Sequence, residues 1–220
     1  MDISCEWHDA VAVLTWDDGE NRINVDSLGR INELLDQLEA HDGPFSVVLT
    51  GVGKFFSNGL DLGRFGHDAD EFAVTLAELK RTVGRLMVYP AYTVAAVNGH
   101  IFAAGALLGC GFDHRVMRED RGYWCMNEAE IGLALDDQLW GIIHHRLPKA
   151  TAIVAATTAR RFSGPDALAA GIVEATAVED NVLPHALEVA ERYSTLHRST
   201  LAHHKRLAHG EVAAFLGFNS

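Results

Sequence analysis

The chain has 220 residues, 48% of them hydrophobic and 22% charged, enough for one domain with a sizeable core. A net charge of −12 argues against a general nucleic-acid binder, whose electrostatic footprint would be basic. No run approaches the roughly 18 apolar residues of a membrane span, and MDISCEWHDA carries early acids with no secretory pattern. Cys5, Cys110 and Cys125 form no CxxC pair and leave one unmatched in any disulfide scheme, so reduced thiols in a cytoplasm are expected. Twelve histidines are mostly scattered. The pairs His144-His145 and His203-His204 would diverge by about 100° on a helix, so no metal site is expected.

In chain order, AVAVLTW (10–16) reads as a strand that ends at the turn signal Asp17-Asp18-Gly19. Leu28, Ile31, Leu34, Leu35 and Leu38 recur at helical spacing, with Asp26 or Ser27 available as N-cap. FSVVLTG is a buried-type strand, residues 69–88 a long helix stopping near Tyr89-Pro90, and TVAAVNG a second buried strand. IFAAGALLGCGFD is small and apolar, and HRVMR is strand-like. Beyond it, helices are expected at 150–158, 183–196 and 201–215, with a turn and short helix in FSGPDALAAGIV. Strands alternating with helices predict an α/β fold of repeated β-β-α units.

Two strand ends are marked by glycine: Gly51 and Gly53 with Asn58-Gly59 after FSVVLTG, and NGHIFAAGALLG after TVAAV. Each taken alone is a loop or a close helix contact. Together they offer exposed backbone N–H groups which, if convergent, would hold a developing oxyanion. Neither GxGxxG nor a GKS/GKT triplet is present, so a dinucleotide or P-loop site lacks support. The tract WCMNEAEIGLAL places Glu128 and Glu130 in an apolar segment. They are either solvated acids at an element boundary, or one is a buried carboxylate kept for proton transfer.

FFSNGLDL, VAAVNGHIFAAGALLGCGFD, DRGYWCMNEAEIGLAL and RRFSGPDALAAGIV follow one another in an order and spacing that resemble the enoyl-CoA hydratase/isomerase (crotonase) superfamily, across nearly the whole chain. The MNEAEIGL tract looks most like the monofunctional Δ3,Δ2-enoyl-CoA isomerases. The resemblance implies a spiral of β-β-α units over residues 1–160 and a C-terminal helical region, 161–220, that assembles trimers or hexamers. It implies an acyl-CoA thioester as substrate, with CoA supplied by that substrate and no separate cofactor. Carried over by motif, the oxyanion donors would be the backbone N–H groups of Leu60 and Ala104, with Asn58, Gly59, Asp61, Ala103 and Gly105 around the substrate. Hydratases of the superfamily use two glutamates, and the first falls here at Leu107. The second lies four residues before a glycine, which Glu128 satisfies with Gly132. One acid in place of two points to double-bond isomerisation with Glu128 as base. Glu130, two residues on, would face the other way in an extended segment.

The alternatives are a dienoyl-CoA isomerase, a hydratase, or a non-catalytic acyl-CoA binder. Dienoyl isomerases place an aspartate eight residues after the glutamate, which is Asp136, with Asp137 adjacent; its other reading is a helix N-cap. Asp61 is expected to cap or bind backbone. Trp124, Phe65 and Leu139 are candidates for the acyl pocket, and Lys80, Arg81, Arg85, Lys205 and Arg206 for CoA phosphates, with core packing and solvated surface as the plainer readings. His100 is expected near the site, and Cys110 and Cys125 are expected to be inert.

Overall fold

The computed structural model describes residues 2–66 and 68–219. The apolar, β-branched run Val11–Trp16 (β2) is buried except at half-buried Thr15 and pairs antiparallel with Ile3–His8 (β1). The sequence reading missed β1, because Ile3 is its only fully buried residue and an edge strand of that kind carries no apolar run. After β2 the chain loops into helix Val25–Glu39 (α1), which buries the five predicted aliphatic residues. Its N-cap is Asn24 and not Asp26 or Ser27. Asn24 Oδ1 accepts from Asp26 N–H (3.1 Å) and Ser27 N–H (2.9 Å), while Ser27 Oγ accepts from Asn24 N–H (3.0 Å).

Three β-β-α units follow. The first is Ser46–Gly51 (β3), Phe55–Ser57 (β4), Leu62–Phe65 (α2) and Ala69–Val88 (α3). The second is Tyr92–Val97 (β5), His100–Phe102 (β6) and Ala104–Gly109 (α4). The third is His114–Arg118 (β7), Trp124–Cys125 (β8), Glu128–Ile131 (α5) and Asp137–Arg146 (α6). The long strand of each unit enters a six-stranded sheet, β1-β2-β3-β5-β7 with a last strand, Ala175–Ala177 (β9), beside β7. The short strands form a second sheet, β4-β6-β8. Among these strands every pairing but β1–β2 is parallel, so each unit is laid beside the last with the same polarity, and Phe162 adds one antiparallel bridge to Trp124 of β8.

The units stack through their turns. Asn98 Oδ1 accepts from Gly51 N–H and its Nδ2 donates to the Gly53 carbonyl, both at 3.1 Å. Any Cβ at Gly99 would overlap the Lys54 carbonyl group, with its carbon 2.8 Å away, so only glycine lets the second turn sit on the first.

The remaining helices are Lys149–Thr158 (α7), Gly164–Ala169 (α8), Val182–Tyr193 (α9) and Arg198–Phe215 (α10). Residue 160 is not a boundary of the main sheet, because β9 lies beyond it and pairs with β7. Helix α9 buries Val182, Ala186, Val189 and Ala190 against Val13, Val48, Val94 and Val116 on one face of that sheet. Helix α1 and the helices of the units cover the other face, and α10 packs along α3.

Candidate active site

The loop after β4, the start of α4 and the start of α5 meet at a cavity of about 300 Å³. Of the residues expected at a site, Asn58, Leu60, Ala103, Ala104, Glu128, Asp136 and Leu139 line it. Gly59, Asp61 and Gly105 do not line it, but the two glycines let its backbone segments approach closely. Gly59 has φ +80°, and a Cβ there would lie 3.0 Å from the Phe102 carbonyl oxygen, 3.1 Å from Ala103 Cβ and 3.5 Å from Ala104 N. The glycine thus allows the two peptide segments to touch. Gly105 backs onto Ser57, with which any Cβ would collide at 2.8 Å. Asp61 stands at the N-cap position of α2, but its side chain makes no capping bond.

Among the described residues, no hydrogen bond runs from the Leu60 or Ala104 N–H to the rest of the chain, although the flanking amides are engaged: Gly59 with Ser57 Oγ (3.3 Å), Asp61 with the Ile23 carbonyl (2.9 Å) and Ala103 with the Cys125 carbonyl (2.8 Å). Ala103 holds φ 48°, ψ −119°, a conformation strained for any residue with a Cβ. The strain sits at the peptide that carries the Ala104 N–H.

Glu128 is 8% exposed, and its Oε2 is buried without a hydrogen-bond partner. Burial pushes its carboxyl up to about 7, offset only in part by its own backbone N–H. Among the described residues it has no ion pair. Glu130 is exposed and accepts from Nη1 and Nη2 of Arg161, at 3.1 and 2.9 Å. The segment is not extended, as the sequence reading had it, but a short helix closed by left-handed Gly132 (φ 72°). Two residues on a helix span about 200°, so the glutamates still face apart.

Asp136 lines the cavity with its side chain half exposed and also caps α6, its Oδ1 accepting from Leu139 N–H at 2.9 Å. Burial alone would raise its carboxyl, but the Lys80 ammonium and the capping amide outweigh it and hold the group below the usual carboxylate range. Leu107 is buried in the cavity wall, so the place of a second acid is hydrocarbon.

Several expected contacts fall elsewhere. Trp124 is buried against Phe162, Phe65 packs on Phe72, and His100 lies among Phe55, Phe102 and Tyr123; none of the three lines the cavity. Three of the cations proposed for CoA phosphates are already committed. Lys80 pairs with Asp136, Arg85 with Asp36 (2.6 Å) and Glu39 (2.8 Å), and buried Lys205 with Asp113 (2.7 Å). Arg81 and Arg206 are exposed, away from this cavity. The cation that does line it is Arg22, whose Nη1 donates to the Leu60 carbonyl at 3.4 Å and whose Nη2 is itself paired with Glu20. Sequence reasoning missed it, because the loop that carries it has no periodicity. It also missed Phe72, Leu76 and Leu79 on α3, which supply the apolar wall.

Among the described residues, no group of three His, Cys, Asp or Glu side chains could hold a metal ion, and no helix is long and apolar enough to cross a membrane. Cys5, Cys110 and Cys125 are unpaired, and burial raises all three thiols, Cys125 to about 11.

The family model for enoyl-CoA hydratase/isomerase matches residues 6–213. Enoyl-CoA delta isomerase 2, peroxisomal, from Arabidopsis thaliana is 31% identical over 185 residues, 80% of this chain and 77% of the relative. A putative enoyl-CoA hydratase from Thermus thermophilus is 34% identical over 194 residues, 84% and 74% of the two chains. The crystal structure of a probable enoyl-CoA hydratase from Mycobacterium tuberculosis superposes with a TM-score of 0.92 at 28% identity, covering 98% of this chain and 91% of that one.

Proposed function

The chain belongs to the enoyl-CoA hydratase/isomerase family, and on that premise we propose that it is an enoyl-CoA isomerase that moves a double bond from Δ3 to Δ2. The observation that carries this reading is a single buried, unpaired carboxylate at Glu128 in a cavity where position 107 is leucine. The Leu60 and Ala104 N–H groups would receive the thioester oxygen, drawing electron density away from C2 and acidifying its protons. Glu128 removes one of them, giving a dienolate, and returns it at C4. A carboxyl near 7 suits both halves of that transfer, being strong enough to accept and weak enough to give back. Water addition would need a second group to hold and deprotonate water, and Leu107 cannot. Asp136 is given no proton-transfer step, since Lys80 keeps it ionised.

CoA is part of the substrate, and no other cofactor enters the reading. A cytoplasmic location belongs to the same proposal, against the peroxisomal address in the Arabidopsis relative's name. The test is turnover of a 3-enoyl-CoA beside hydration of a 2-enoyl-CoA by the wild-type chain. Isomerisation is expected to dominate; faster hydration, or acyl-CoA binding with neither reaction, sinks the proposal.

The base works only when ionised, so kcat/KM is expected to rise about tenfold per pH unit and level off above about pH 7. A pH–rate profile whose acid limb lies near 4.5, the ordinary glutamate value, would place the base elsewhere.

We also propose assembly into a trimer or hexamer. Ile131, Leu133, Ile153, Val154, Leu207 and Phe215 leave large apolar side chains exposed on α5, α7 and α10 and in the loop after α5. Light scattering at micromolar concentration should return a multiple of three chains; a monomer contradicts it.

A further inference from the structure

We propose that Asn21, a buried residue that does not line the cavity, is a positioning residue for the reaction: it fixes the peptide that aims the Leu60 N–H at the thioester oxygen. The inference rests on the reading of that N–H as an oxyanion donor.

Residues 20–23, between β2 and α1, run alongside β4 and the loop that follows it. Asn21 Nδ2 donates to the Phe55 and Phe56 carbonyls, at 3.1 and 3.2 Å. The Asn21 carbonyl accepts from Ser57 Oγ at 2.7 Å, and the Glu20 carbonyl accepts from Asn58 N–H at 2.9 Å. Ile23 continues the ladder. Its N–H donates to the Gly59 carbonyl at 2.8 Å and its carbonyl accepts from Asp61 N–H at 2.9 Å, so it pairs in parallel with Leu60. The carbonyl and N–H of one trans peptide point opposite ways. With the Gly59 carbonyl turned toward Ile23, the Leu60 N–H of the same peptide faces away from Ile23, and Leu60 lines the cavity. The direction of the donor is therefore set by its bonds to residues 20–23.

Asn21 gives that segment its shape. It is fully buried and holds φ 50°, in the left-handed region where asparagine is among the few side chains readily accepted. Its Oδ1 accepts from Asp18 N–H at 2.9 Å and its own N–H donates to the Asp18 carbonyl at 3.1 Å, which closes the turn. A Cβ at Gly51 would stand 2.8 Å from Asn21 Nδ2, so the side chain is also packed tightly against the end of β3. One short side chain thus joins a turn before α1 to the strand that leads into the donor loop.

The junction reaches the second donor through Ser57. Besides donating to Asn21, Ser57 Oγ accepts from Gly59 N–H at 3.3 Å. A Cβ at Gly105, next to Ala104 on α4, would stand 2.9 Å from the same oxygen. Ser57 therefore lies between the Leu60 loop and the helix start that carries the Ala104 N–H.

The experiment compares Asn21→Gly and Ser57→Ala with the wild-type chain. Glycine accepts φ 50° and loses only the side chain, and alanine loses one oxygen, so neither change forces the backbone. Calorimetry measures affinity for hexanoyl-CoA and for 3-oxohexanoyl-CoA, whose acidic C2 lets it bind as an enolate with negative charge already shared by the thioester oxygen. Turnover of 3-hexenoyl-CoA is followed in parallel. In each variant kcat should fall about tenfold or more, a part of the roughly 10²–10³ that follows removal of a whole donor, and the preference for the 3-oxo ligand should fall with it. KM and hexanoyl-CoA affinity should stay within about twofold, because the donor matters most where charge develops. The acid limb of the pH–rate profile should stay near pH 7, since Glu128 is untouched. Val189→Ala, which loosens the packing of α9 on the main sheet, supplies a loss of stability away from the junction and should leave the preference unchanged. No preference in the wild-type chain, a preference that neither variant moves, or equal losses for both ligands overturns the positioning role. Failure of both variants to fold overturns it too, since the junction would then serve folding alone. A preference lost in the variants of a chain that turns over no 3-enoyl thioester keeps the positioning role and sinks the isomerase reading; turnover that neither variant slows does the reverse.

Discussion

Glu128→Gln is expected to bind a 3-enoyl-CoA about as well as the wild-type chain and to isomerise it about 10²–10⁴ times more slowly, the usual contribution of a positioned general base. The substitution keeps the shape of the side chain and removes only its basicity. Glu130→Gln, two residues on, should change turnover little, because that carboxylate is exposed and occupied by Arg161. Leu107→Glu would put a second acid into the cavity wall and should bring some hydration of 2-enoyl-CoA. The four proteins, assayed for both reactions, separate the roles; a fully active Glu128→Gln would end the single-carboxylate mechanism.

The same residue predicts a stability effect of opposite sign. The folded chain holds the Glu128 proton up to about pH 7, against 4.5 for an ordinary glutamate. A carboxyl raised in this way contributes its stability at low pH, and that contribution is lost as pH rises from about 4.5 through about 7. At pH 8 the buried, ionised side chain then costs on the order of 3 kcal/mol relative to a neutral one. Glu128→Gln avoids that cost, so its Tm should exceed the wild-type value at about pH 8 and the two should converge near pH 4. A less stable variant at the higher pH would mean that the carboxylate finds partners on ionising.

How far the chain could be read in advance follows from where each signal resides. α1 was legible because it buries a stripe of its own residues, which periodicity reports, and α3 because its long run stops at the Tyr89-Pro90 signal, although Thr82–Val88 are buried on every side. The β-β-α repeat was legible because its turns need glycine and asparagine at fixed places, Asn98-Gly99 above all. β9 is three residues with one fully buried side chain, and α5 is a single turn, too short to display a 3.6-residue period. The cations were misjudged for a different reason. Lys80, Arg85 and Lys205 find their carboxylates 56, 49 and 92 residues away in sequence, and no local pattern announces such a partner. Glu128 lies between these cases. Its motif marked it out, but the cavity it lines is completed by Leu79, Leu107 and Leu139, from α3, α4 and α6, so only the folded chain displays its environment.

Ala104→Val is expected to lower kcat by about 10²–10³, the loss that follows removal of one oxyanion donor elsewhere, while leaving the fold in place. Ala104 is 2% exposed and its neighbour Ala103 already holds a strained backbone, with Gly59 packed against both. Ala104 lines the cavity, so two added methyl groups there take up space where the thioester oxygen would sit. The effect should fall on kcat more than on KM, because the bond to the oxygen strengthens as negative charge develops and is weakest in the bound ground state. Ala104→Gly separates obstruction from any need for the methyl itself. It keeps the N–H and removes bulk, so it should retain most of the activity even if the strained turn loosens. Circular dichroism and thermal melts on the three proteins check that each is folded. Unchanged turnover in a folded Ala104→Val would move the oxyanion site away from the junction of the β4 loop with α4, and with it the roles given to Leu60 and Gly59.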